Sequence, residues 1–419
     1  MTENLINTLK LGIFMWYDNT IKDYAEINYK INKIYCEKYG YTLIKSSDRL
    51  YPTKKPHWER IPLILENFDN YDYFIWIDAD AHFYIDSPPI LNIINNYPEK
   101  LFIFSGDTDT YKREYKCIIN SGVFIVKKSE NSKLILNTWL RDDDLFNSKD
   151  LSHPVFGSNK WNDQAVLRLM FAKNINNIKD NSIIIDYAIL QHFNKTHKLL
   201  KQIFGLTDKP FIFHSTNGEN MKLQNRIKNS NEYFTSIFLN KYSQYLNSNI
   251  QLGKAIITDI LINCQNKKML VFGLGYDSEL WYNATNKKTF FIGNNQQYID
   301  LNKNIKGDNI IYHNYNNITV KNSLELTDNQ ITDFEIPNKI LELAPFDIIL
   351  IDGPTSYNDQ CPGRLLPIFW SKTYLSKEGT IIYINDVNRK LEKKCVNKYL
   401  LEKSKIYFNE RNVSIKVIM

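Results

Sequence analysis

Four short apolar runs each end against a residue of a different character: FIWI before Asp78, MLVF before Gly273, IILI before Asp352 and TIIYI before Asn385 and Asp386. Runs of bulky, largely β-branched or aromatic residues without polar alternation fit strands buried on both faces. Such strands need helices on either side, and the intervening segments supply them. YAEINYKINKIYCEKYG repeats apolar residues at helical spacing and stops at Gly40, and HWERIPLILENF reads as a second helix. Further strands are expected at LKLGIFMWY, YTLIK, LFIFSGD, SGVFIVKK and KTFFIG. The alternation predicts an α/β chain with largely parallel sheets.

At 419 residues the chain exceeds what one hydrophobic core supports, so two domains are expected. The polar passage NKYSQYLNSNIQLGK places the seam near 240–255, giving domains at 1–245 and 255–419. The abundant Asn and Lys are read as surface filler. A net charge of +6, from 52 basic and 46 acidic residues, is mild and scattered. It favours phosphorylated small molecules over nucleic acid, since a nucleic-acid binder or metal nuclease would cluster basic and aromatic residues along a face. The N-terminus has no cleavage site, and no stretch approaches about 18 uninterrupted apolar residues. A cytoplasmic protein without a membrane span is expected. Cysteines 36, 117, 264, 361 and 395 form no CxxC pair and are expected to be buried free thiols.

The stretch FIWIDADAHF sets Asp78 and Asp80 one residue apart at the edge where open α/β sheets bind ligands. Asp107-Thr-Asp109 and Asp142-Asp-Asp144 repeat the acid spacing without a buried strand before them. Hard carboxylate oxygens suit Mg²⁺ or Mn²⁺, which can bridge to a diphosphate. The bland alternative is a pair of acids capping a turn. In PFIFHSTNGE, His214 closes another apolar run; it is either a packed histidine or a third ligand, and imidazole would favour Mn²⁺.

Taken together, YAEINYKINKIYCEKYGY, HWERIPLILENFDNYDYFIWIDADAHF, INSGVFIVKKSENSKLILNTWL, WNDQAVLRLM and FIFHSTNGE resemble, in order, the galactosyl and mannosyl transferase family, over residues 8–225. The resemblance implies a GT-A-like fold, a nucleotide-sugar donor, a saccharide acceptor and a metal held by Asp78, Asp80 and His214. It places Asn120, Ser121 and Gly122 near the sugar, and Asp163 and Gln164 in the donor or acceptor pocket. Arg60 stands where that family usually has Lys; either cation can meet a phosphate, and Arg would bind it bidentately. The family retains anomeric configuration, with Asp163 the best side chain here for contacting the reacting sugar. Asp163 is equally placed to be the N-cap of the helix DQAVLRLMF.

In the second half, Gly273-Leu274-Gly275 follows a strand and permits close backbone approach to a nucleotide. Ser278 replaces the third glycine of GxGxxG, so a dinucleotide site is poorly supported. VFGLGYDSELW, DGPTSYNDQCPGR and NDVNRK are similar to the plant polysaccharide methyltransferase family that includes glucuronoxylan 4-O-methyltransferase, over residues 255–405. The similarity implies a Rossmann-like S-adenosylmethionine-dependent O-methyltransferase. Gly273, Leu274, Gly275, Asp277 and Ser278 would line the cofactor pocket, Asp352 would sit near the transferred methyl, and Arg364 and Asp386 would serve the sugar or catalytic region, where Asp386 could also act as a general base. Asp352-Gly-Pro as a plain turn and Arg364 as a surface cation are the structural alternatives. One departure stands out: where the family's second strand ends in acids that bind the cofactor ribose, this chain has Gly293, Asn294 and Asn295, so that Asn294 is expected to bind the cofactor more weakly, an Asn carbonyl still accepting a ribose hydroxyl.

These features together point to a bifunctional enzyme of glycan synthesis. A transferase carrying an inactive methyltransferase-like, glycan-binding domain is the alternative. The AT-rich residue usage and the fusion would suit a large virus, acting in host cytoplasm, or a protist.

Overall fold

The computed structural model describes residues 9–106, 119–141, 162–185, 187–192, 211–215, 223–315, 317–400, 404–408 and 413–419. The acids at 107, 109, 142 and 144 and Cys117 lie outside them. Two compact units emerge, Met1–Phe234 and Thr235–Met419.

In the first unit, β1 (Leu11–Trp16), β2 (Thr42–Ser46), β3 (Tyr73–Ile77), β5 (Phe102–Gly106), β6 (Ile119–Lys127) and β7 (Ser182–Ile185) form a sheet ordered β2-β1-β3-β6-β5-β7. A smaller sheet joins β4 (Ala81–Phe83), β9 (Ile212–His214) and β8 (Gln191–His192) in that order. The period-two alternation of β3 explains its unbroken apolar sequence. Phe74 and Trp76 enter one core with Ile61, Trp139 and Leu167, while Ile75 and Ile77 enter the opposite one with Tyr35 and Ile93. Helix Lys22–Tyr39 ends where expected: Gly40 takes the left-handed conformation, φ 71°, and its amide donates to the Cys36 carbonyl.

The expectation of largely parallel pairing needs correction in this unit. β6 runs antiparallel to both β3 and β5, while β1–β2, β1–β3 and β5–β7 are parallel. A strand that returns beside its predecessor needs no crossover helix. Apolar periodicity is the same in either direction, so sequence pattern does not distinguish them.

The second unit orders its strands β12 (Ile310–Tyr312), β11 (Thr289–Gly293), β10 (Met269–Phe272), β13 (Ile348–Ile351), β14 (Ile381–Ile384), β16 (Val413–Ile418) and β15 (Ser404–Phe408). All pairings are parallel except those of β16. Strand order reverses between β10 and β13, the switch point outside which open sheets bind ligands. Cys36, Cys264, Cys361 and Cys395 are free and buried, and burial pushes the thiols of Cys36, Cys264 and Cys395 up to about 12. Among the described residues no helix is long and apolar enough to cross a membrane.

Candidate active sites

The first cleft, about 340 Å³, opens at the end of β3. Nine residues singled out from the sequence line it: Arg60, Asp78, Asp80, Asn120, Ser121, Gly122, Asp163, Gln164 and His214. β3 delivers Asp78 and Asp80 to its end, and pairing of β4 with β9 sets Ala81 opposite His214. One ligand atom from each of Asp78, Asp80 and His214 falls within 4.8 Å of the others. A Cβ on Gly122 would lie 2.3 Å from His214 Cε1 and 2.9 Å from Asp78 Oδ2, so the gap between these ligands exists because residue 122 has no side chain. This donor set of two carboxylates and an imidazole in an open cradle fits Mn²⁺ or Mg²⁺.

The imidazole is oriented from behind. His214 Nδ1 donates to Gln191 Oε1 at 2.7 Å, which turns Nε2 toward Asp80 Oδ1 at 3.1 Å and Asp78 Oδ2 at 3.9 Å. Such outer partners fix the tautomer of metal-binding histidines. Burial is the largest influence on all three groups. It leaves Asp78 above the usual carboxylate range despite Arg60 and His214. At Asp80 the charges of His214 and Arg226 outweigh burial and hold the carboxyl low, and Asp80 in turn raises His214.

Arg60 is buried, and its guanidinium is taken up within the protein. It pairs with Asp78 Oδ1 at 3.1 Å and Asp163 Oδ2 at 3.2 Å, and donates to the His57 carbonyl at 2.9 Å and to the Ser121 carbonyl. The Arg thus ties the acid pair to Asp163. The N-cap alternative for Asp163 is overturned: Asn162 caps the helix Asp163–Ala172, accepting from the Ala165 amide at 2.8 Å. Asp163, at the first helical position, instead accepts from Ser121 Oγ at 3.1 Å, while Gln164 Oε1 accepts from the Ser121 amide at 2.9 Å.

Several contributors escaped the sequence reading. Arg226, on helix Leu223–Lys241, reaches Asp80 Oδ2 at 3.3 Å. His57 Nε2, a buried atom without a hydrogen-bond partner, lies 3.7 Å from Asp163 Oδ1. Asn28 and Asn32 are fully buried, which corrects their reading as surface filler. Asn28 donates to the Ala79 carbonyl at 2.9 Å, and Asn32 accepts from the Phe83 amide at 2.8 Å, pinning the loop that carries both acids. Their spacing of four, in register with Tyr24 and Tyr35 on the apolar face of the helix, is the signal that identifies them.

The second pocket, about 560 Å³, lies over the ends of β10, β11, β13 and β14. Gly273, Leu274, Gly275, Asp277, Asn294, Asp352, Arg364 and Asp386 line it, and so do Asn249, Ile250 and Gln251, which precede the expected start of the domain. Gly273 takes φ 115° and backs onto Gly353; a Cβ on Gly353 would lie 2.8 Å from Gly273 Cα. Only paired glycines allow the two turns to meet, which leaves bare backbone facing the pocket. Ser278 sits beneath the turn instead of lining it: it is buried, and its Oγ accepts from the Gly275 amide at 2.9 Å.

Arg364 is buried, overturning the surface-cation alternative. It pairs with Asp386 Oδ2 at 2.9 Å and donates to the carbonyls of Asp352 (2.7 Å), Pro354 (3.3 Å) and Asn385. Arg389 binds the same Asp386 oxygen at 3.0 Å. Asp352 accepts from Asn385 Nδ2 at 2.9 Å and is held above the carboxylate range, chiefly by burial, with Asp386 adding to the effect. Asp277 accepts from Trp281 Nε1 at 2.8 Å; burial first, then the charge of Asp352, push it up to about 7.

A family model described as IRX15/IRX15L/GXM matches residues 317–413. Glucuronoxylan 4-O-methyltransferase 1 of Arabidopsis thaliana is 28% identical over 159 residues, 32% of this chain and 55% of the relative. Protein IRX15-LIKE of the same plant is 24% identical over 181 residues, 37% of this chain and 57% of the relative. The chain thus spans about half the length of the curated relatives it matches, and its C-terminal part is similar to methyltransferases of that family. A solved glycosyltransferase involved in the glycosylation of the major capsid of PBCV-1 aligns with a TM-score of 0.40 and 15% identity, covering 53% of this chain and 99% of that one.

Proposed function

We propose that the chain is a bifunctional glycan-synthesis enzyme. Residues 1–245 transfer a sugar, with retention, from a nucleotide-sugar to a saccharide acceptor, and the methyltransferase-like part from 255 onward then O-methylates that glycan. The observation that carries this reading is the convergence of Asp78, Asp80 and His214 on the gap left by Gly122, in one cleft with Asn120, Ser121, Asp163 and Gln164. A Mn²⁺ or Mg²⁺ bound there supplies charge neutralisation for a departing nucleoside diphosphate. Asp78, Asp80 and His214 would hold the cation, and Gln191 and Arg226 keep His214 and Asp80 in place. Arg60 fixes Asp163 against Ser121, so that its carboxylate is presented rigidly to the reacting sugar.

In the second pocket, S-adenosylmethionine supplies an electrophilic methyl group. The glycine turns would admit its backbone-hugging portion, and Asp352 is better placed than Asp386 to take the acceptor hydroxyl's proton. Asp386 Oδ2 is already shared by two guanidinium groups, whereas burial raises the carboxyl of Asp352 above its ordinary value. Release of nucleoside diphosphate from a nucleotide-sugar panel tests the first activity. Turnover with Mn²⁺ that stops on chelation and in Asp80→Ala supports it, and turnover indifferent to both overturns it. A second reading, in which the C-terminal part binds glycan without methylating it, is favoured by Asn294; binding of labelled S-adenosylmethionine to the full chain opposes it.

A further inference from the structure

In nucleoside-binding α/β sites, a glycine turn after the first strand is followed, about 20 residues on, by an acid that hydrogen-bonds the ribose. Here β11 ends at Gly293, and Asn294 lines the pocket beside the glycine turn. Residue 293 is a glycine and brings no side chain to the ribose; a Cβ there would meet Leu274 Cδ1 at 2.6 Å. Asn295 Oδ1 already accepts from the Gln297 amide at 2.9 Å, as N-cap of helix Gln296–Leu301. The other pocket carboxylates have partners of their own: Asp277 has Trp281, Asp352 has Asn385, and Asp386 has Arg364 and Arg389. Asn294 is therefore the strand-end side chain left for the ribose.

Resting on the S-adenosylmethionine reading, we infer that Asn294 sets the pocket's affinity for the cofactor, meeting a ribose hydroxyl as a neutral partner in place of an acid. A carboxamide oxygen accepts a hydroxyl, but a charged acceptor binds it roughly twice as strongly. The pocket consequently holds its cofactor loosely, and its occupancy follows the cofactor concentration. Asn294→Asp tightens binding by about tenfold and Asn294→Ala weakens it several-fold.

Calorimetric titration of the full chain with S-adenosylhomocysteine, for wild type and both variants, tests this. The expected result is the order Asp, Asn, Ala from tight to weak, with the gain of Asn294→Asp vanishing for the 2′,3′-dideoxy form of the ligand. An Asn294→Asp variant that binds no tighter than wild type, or gains equally with the dideoxy ligand, overturns the inference while leaving the cofactor reading intact. Absence of binding in all three proteins, with their circular dichroism unchanged, overturns the cofactor reading and the inference with it.

Discussion

At the scale of single residues, the first cleft depends on an absence. Gly122→Ala would drive a methyl group into His214 Cε1, 2.3 Å away, at the point where Asp78, Asp80 and His214, the proposed cation ligands, converge. We expect Mn²⁺ affinity to fall by about 10- to 100-fold, the size of a disturbed ligand surround, with a stability loss of about 1–3 kcal/mol from overpacking. Titration of Mn²⁺ against Gly122→Ala checks it, and unchanged affinity contradicts the assignment of the gap. Asp277 gives a prediction in pH. Its carboxyl is raised to about 7 from an ordinary 3.8, so the folded chain holds this proton more tightly than the unfolded chain does. The contribution is present in full below the unfolded value and is lost as pH rises through about 7. Relative to Asp277→Asn, wild type should therefore gain stability as pH falls from 8 to 5. Parallel stability curves for the two proteins across that range would remove the argument.

At the scale of elements, strand ends were legible and their supports were not. Asp78, Asp80, His214, Asp352 and Asp386 announce themselves by ending apolar runs, because a buried strand gives way to polar residues where it leaves the core. Gln191 and Arg226 bear no such mark, since the groups they hold are distant in sequence and only the pairing of β8 with β9 and the position of one helix bring them near. Strand direction was likewise hidden, as the antiparallel β6 shows. Helix Lys22–Tyr39 is the element whose role the sequence most understated, because Asn28 and Asn32 hold the acid loop from its buried face. Asn28→Ala or Asn32→Ala should each cost about 1–3 kcal/mol in urea unfolding, by stranding a buried backbone group. Each should also weaken Mn²⁺ binding, and a stability loss with metal affinity intact would confine these residues to the fold.

For the molecule as a whole, two α/β units with strand ends suited to a pocket in each were legible from alternating runs, because burial on both faces and helical spacing leave distinct patterns. The pocket walls were less so: Asn249, Ile250 and Gln251 belong to the second pocket although they lie in the polar passage taken for a seam. Polar composition marks exposure, and a pocket rim is exposed too. The central claim is that each pocket serves one step in building a methylated glycan. Its most direct test is mass spectrometry of a saccharide acceptor incubated with a nucleotide-sugar panel, Mn²⁺ and S-adenosylmethionine. Wild type should add a hexose-type increment followed by a methyl; Asp78→Ala/Asp80→Ala should lose both on a fresh acceptor. Asp352→Ala should keep the sugar and lower methyl transfer by about 10²- to 10⁴-fold. Sugar transfer that survives loss of both acids, or a methyl that never appears at saturating cofactor, would contradict the account.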